Sequence, residues 1–183
     1  MQAKNEGIPT LYRGRRFRSR LEAKYAALFD QLGWSWEYEP IDLQGWIPDF
    51  VIEGKPVPIL VEIKPIFEFD FALGAKIDRI VGHPNIATRD EIQVGQIDYN
   101  YQCKYETVIC GARIFKTEYG ALTFGWLWDY WWDDMHVISD GGLCHVYNNF
   151  KDRVTGQDGG LWDSADLDAM WAYAGNLVQW NAR

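Results

Sequence analysis

A chain of 183 residues that is 48% hydrophobic can bury one core, and its formal charge of −8 argues against coating nucleic acid by bulk electrostatics. No apolar run approaches the ~18 residues of a membrane span, the N-terminus lacks a secretory apolar segment, and 3 scattered cysteines exclude a disulfide framework or thiolate zinc site. The expectation is a protein without a membrane segment, in a reducing, cytoplasmic setting.

Residues 1–11 read as a flexible tail. From Tyr12 to Lys24 there are 6 bases against 1 acid, whereas from Thr117 to Arg183 there are 10 acids against 3 bases. A basic patch on an acidic protein can hold a phosphate backbone, although a solvated helix face explains it equally well. Phe17, Leu21, Tyr25, Leu28 and Leu32 recur at helical spacing and Gly33 ends the run, which predicts a helix over Phe17–Leu32. Trp34–Pro40 alternates large and charged residues like a strand with one wet face.

Strands follow near Trp46–Ile52 and Ile59–Ile63, joined by a Gly/Pro-rich turn, then a short helix over Ala75–Val81. Residues 82–104 show no clean period. "ETVICGARIF" and "GALTFGWLW" read as strands joined by "KTEYG", "GLCHVYNNF" as a further strand, and Ala165–Trp180 as a helix capped by Ser164. This order predicts an α/β fold with a mixed sheet flanked by helices. Residues 12–116 form its core, and residues 117–183 add the remaining strands and an acidic, Trp-rich extension within one compact domain.

The hairpin "GWIPDFVIEGKPVPILVEIKP" places Asp49, Glu62 and Lys64 among apolar residues. If Glu53–Pro58 is the turn, Asp49 lies directly opposite Glu62 and Lys64 shares their face, while Phe50, Ile52, Ile59, Val61 and Ile63 make the core face. Two carboxylates that close share either a proton or a cation. A hard divalent ion suits them, and an adjacent ammonium can offset developing negative charge. The bland alternative is a surface ion pair, Glu62 with Lys64, on an edge strand. Glu22 stands on the Arg-rich helix in "SRLE", a capping box that would by itself account for a glutamate there.

Taken together, "RSRLEAKYAALFDQLGWSWEYEP", "WIPDFVI" and "ILVEIKP" resemble the PD-(D/E)XK nuclease superfamily, and within it the phage-type endonuclease I and transposon-end-cleaving endonucleases. The resemblance covers Tyr12 to Pro65. It implies a restriction-endonuclease-like fold and magnesium-dependent hydrolysis of DNA, branched or from phage or mobile elements, with manganese as a substitute. By the same resemblance Asp49, Glu62, the Ile63 carbonyl and Glu22 would hold the metal, and Lys64 would assist catalysis. Arg16, Arg18, Arg20 and Lys24 would hold flanking phosphates, and a homodimer is among the implied partners. The glutamine–tyrosine pair common in such nucleases finds no match among Gln93, Gln96 and Gln102.

Two rivals stand beside this reading. One is an RNA-cleaving member; the other is a catalytically silent nuclease fold whose Trp-rich segment Phe124–His136 binds a protein partner or acts as an inhibitor. Within that segment the tryptophans are expected to pack a core or an interface rather than stack on bases.

Overall fold

The computed structural model describes residues 7–54, 58–68, 70–81, 105–116, 122–129, 134–139 and 164–179. The elements in chain order are β1 (Thr10–Tyr12), β2 (Arg15–Phe17), α1 (Arg20–Gln31), β3 (Trp36–Tyr38), β4 (Phe50–Ile52) and β5 (Ile59–Ile63). They are followed by α2 (Phe71–Val81), β6 (Glu106–Lys116), β7 (Leu122–Asp129), β8 (Asp134–Ser139) and α3 (Ser164–Leu177). Six strands form one sheet in the order β3-β4-β5-β6-β7-β8. All its pairings are antiparallel except β5 with β6, which is parallel and bridged by a crossover containing α2. The expected mixed α/β architecture is therefore present.

The hairpin register matches the expectation: Phe50 pairs with Val61, Val51 with Leu60 and Ile52 with Ile59. Because side chains alternate along a strand, this register divides the hairpin between two cores. Phe50, Ile52, Ile59, Val61 and Ile63 join Tyr25, Leu28 and Phe29 of α1 and Leu167 and Ala174 of α3. On the other face Leu60 and Ile109 pack with Trp46 and with Ile77 of α2. α1 and α3 meet through Tyr25 and Trp171, whose ring centroids are 5.0 Å apart, and through Gln31 Nε2 donating to the Met170 carbonyl at 3.1 Å.

Several boundaries differ from the sequence reading. The first helix begins at Arg20 rather than Phe17, because Ser19 adopts extended backbone and its hydroxyl accepts from the Glu22 N–H. Phe17 instead ends a short hairpin, β1–β2, in part of what reads as tail. Its turn, Arg13-Gly14, has φ of 46° and 77°, both positive, as a two-residue type I′ turn requires. β4 starts only at Phe50, since residues 42–46 form a separate tight loop, and α2 begins at Phe71. β8 has no counterpart in the sequence reading. The expected strand at residues 142–150, the segment 82–104 and Trp131 and Trp132 lie outside the described residues. Trp126 is buried on β7, as expected of a packing residue.

A candidate metal centre at the β4–β5 hairpin

Cross-strand partners share a face, so the hairpin register lines Asp49 up with Glu62, and Glu62 pairs onward with Ile109 and Ile109 with Trp126. Asp49 and Glu62 are only 2% and 6% exposed. β5 is an interior strand, so the edge-strand surface ion pair does not describe Glu62.

Each carboxylate is held by one fixed buried donor and one long cationic side chain. Asp49 Oδ2 accepts from the Ile63 N–H at 2.7 Å, and its Oδ1 from Arg18 at 2.7 Å. Glu62 Oε2 accepts from the Trp46 indole N–H at 3.0 Å, while its Oε1 pairs with the Lys64 ammonium. Trp46 reaches Glu62 through the loop Asp42–Trp46, where Gln44 and Gly45 take φ of 53° and 92° and Leu43 bridges Trp46. A glycine at the second position meets that demand without strain.

Glu22 is buried at 7% exposure under three donors. Its Oε2 accepts from the Tyr38 hydroxyl at 2.5 Å and the Arg18 N–H at 3.1 Å, and its Oε1 from the Ser19 hydroxyl at 2.7 Å. The capping relation foreseen between Ser19 and Glu22 is present, and Tyr38 ties the same glutamate to the sheet. Burial, then the Glu22 bond, pushes the Tyr38 hydroxyl well above its ordinary value, which keeps it a donor.

Burial raises Asp49 from 3.8 to about 7, with the neighbouring Glu62 charge the next cause and Glu22 adding to it. The Ile63 N–H and the Lys64 ammonium oppose the rise, and an ion pair to Arg18 acts in the same opposing sense. Burial and the neighbouring carboxylates thus disfavour the charged form of Asp49.

The donor set fits a hard divalent cation. No group of three or more His, Cys, Asp or Glu side chains suited to a metal exists among the described residues. Magnesium, however, commonly takes one or two carboxylates and keeps several waters. A backbone oxygen is also in place. Lys64 N–H donates to the Cys110 carbonyl across the β5–β6 ladder, so Ile63 faces the other way, as its N–H bond to Asp49 shows. In a strand the carbonyl points to the same edge as its own N–H, so the Ile63 oxygen shares the Asp49 side.

The four predicted phosphate-holding bases part company here. Arg16 and Arg20 are exposed. Arg18 is exposed as well, but its guanidinium reaches back to bridge Asp49 and Glu39, at 2.7 and 2.6 Å. Lys24 packs its ammonium 3.6 Å from the Trp171 ring centre, and burial lowers it to about 8. Sequence reasoning missed Tyr38, Glu39 and Trp46. Glu39 was readable as one of the charged residues alternating along Trp34–Pro40, but its positive φ of 48°, just past the end of β3, has no sequence signal in a glutamate. Among the described residues no helix is long and apolar enough to cross a membrane. Scans against protein-family models, characterised proteins and solved structures find no match to this chain.

Proposed function

We propose that the chain is a magnesium-dependent nuclease with a restriction-endonuclease-like fold of the PD-(D/E)XK kind, hydrolysing phosphodiester bonds of DNA. The observation that supports this most is the burial of Asp49 and Glu62, close enough to each other and to Lys64 and Glu22 to interact electrostatically, at the open end of an interior hairpin. Asp49, Glu62 and the Ile63 carbonyl would hold the ion, with Glu22 completing or tuning its shell. A bound ion of this type polarises a phosphate and lowers the pKa of its water. Lys64, on the same face and partly exposed, releases Glu62 towards an incoming phosphate and offsets charge on its oxygens. Trp46 and the Ile63 N–H keep the carboxylates aimed meanwhile. Arg16 and Arg20 hold neighbouring phosphates, which sets position without reading sequence.

The wild-type melting temperature is expected to rise with magnesium, following RT ln(1 + [L]/Kd), and a nicking assay to show cleavage. Lys64→Ala should lower kcat by about 10²–10³-fold, the scale for one lost transition-state charge contact, while its magnesium-dependent stabilisation persists because lysine donates no metal bond. A wild-type melt indifferent to both magnesium and manganese would sink the nuclease reading and favour a silent, protein-binding module. An RNA substrate run beside the DNA decides between the two nucleic acids.

The exposed bases give a second expectation. Replacing Arg16 and Arg20 together with Ala should weaken DNA binding and flatten its dependence on salt by about 0.9 in log–log slope per lost phosphate contact. Filter binding at several salt concentrations reads the slope, and an unchanged slope would make these arginines ordinary surface charges.

A further inference from the structure

Asp49 has one oxygen for a fixed partner and one for an exchangeable partner, and the exchangeable one belongs to Arg18. The Ile63 N–H on Oδ2 is backbone within β5 and cannot leave without breaking the strand. The Arg18 guanidinium on Oδ1 stands at the end of a side chain that is 60% exposed, and the same terminal nitrogen also reaches Glu39. Anchoring of the Arg18 residue does not depend on that guanidinium, because its backbone N–H is held by Glu22 and by the Tyr38 hydroxyl. Two carboxylates, one directly after β3 and one directly before β4, therefore converge on one cation that can move while its backbone stays in place.

From this geometry we propose that Arg18 is a resident cation of the metal site that exchanges Asp49 for a nucleic-acid phosphate when a divalent ion binds. The inference rests on the nuclease reading of the same site and adds a coupling to it. A divalent ion that takes Asp49 Oδ1 displaces the guanidinium, which has no acceptor role and no neutral form to fall back on. The planar fork then needs a new anion. A phosphodiester matches it in charge and geometry, and exposed Arg16 on β2 stands two residues before Arg18, with buried Phe17 between them fixing the strand to the core. Glu39 remains as the tether that keeps the released guanidinium beside the carboxylates. Metal binding raises affinity for DNA, and by reciprocity DNA raises affinity for metal.

Isothermal titration of the whole protein with Ca²⁺, which takes the same oxygen donors, tests this in the presence and absence of a short DNA duplex. Without DNA, Arg18→Met should bind Ca²⁺ at least about fivefold more tightly than wild type, the lower end of ordinary site-to-site coupling. With DNA, wild-type Ca²⁺ affinity should rise by a similar factor and that of the variant should not. Arg18→Lys keeps the charge but loses the fork that spans two carboxylates, so it should fall between them; it also carries the test if the methionine variant does not fold. Equal or weaker Ca²⁺ binding by the variants would overturn the exchange while leaving the nuclease reading intact. If neither Ca²⁺ nor Mn²⁺ binds any of the proteins, the nuclease reading fails and the exchange fails with it.

Discussion

Asp49→Asn is expected to abolish cleavage and, in metal-free buffer above neutral pH, to melt at a higher temperature than wild type. Folding raises the Asp49 value from 3.8 to about 7. Between those values the folded chain keeps a proton that the unfolded chain has already released, so raising the pH through this window withdraws stability from the wild type. A difference of about 3 units at 1.36 kcal/mol each puts the loss on the order of 4 kcal/mol. Asparagine carries no charge and removes that slope. Its carbonyl can still accept from the Ile63 N–H, and Arg18 keeps its bond to Glu39. Melts at about pH 5 and about pH 8 should therefore show wild type losing stability across the interval and the variant holding it. Added magnesium should restore the wild type at the higher pH and leave the variant unmoved. A variant less stable than wild type at the higher pH would mean that the Arg18–Asp49 ion pair outweighs burial and the facing Glu62 charge.

What could be read from the sequence was whatever a short period or a symmetric turn encodes. The hairpin register came from alternation on both sides of one turn, and the structure has that register from Phe50–Val61 to Ile52–Ile59, which lines Asp49 up with Glu62 one step further on. Ser19 and Glu22 were legible because a capping box is a local rule with a fixed spacing. The misses share a different cause. The turns at Arg13-Gly14 and Gln44-Gly45 depend on left-handed backbone at a residue before glycine, and neither dipeptide is a strong turn signal. The second of those turns is what brings Trp46 onto Glu62. Charge alone also does not say which arginine of a basic run reaches the carboxylates. Arg18 and Arg20 look alike in the sequence and both are exposed, yet Arg18 ends in an ion pair with buried Asp49. Lys24 lies against Trp171, a partner 147 positions along the chain that no local pattern connects to it.

The largest loss of stability is expected at the residue that links this site to the core. Phe50 follows Asp49 directly, is 0% exposed and meets four aromatic rings. Phe29, Trp36 and Tyr38 meet it edge-on, each with its centroid 5.4 Å away, and Phe17 stacks on it at 6.1 Å. Four rings fixed on three different elements cannot all close on the space a phenyl group leaves, so Phe50→Ala should cost about 3–5 kcal/mol. That is a large share of the roughly 5–15 kcal/mol by which a domain is stable. In urea the midpoint should fall by about 2 M at an unchanged slope, taking a slope of about 2 kcal/mol/M. The same change should loosen the site before the fold is lost, because Tyr38 packs on Phe50 and donates to Glu22. Folded Phe50→Ala protein, held well below its own melting temperature, should thus bind magnesium more weakly than wild type. Phe50→Leu fills most of the space and should recover both properties in large part. A midpoint shift below about 0.5 M for the alanine variant would show that the aromatic cluster repacks freely and that Asp49 is positioned by its hydrogen bonds alone.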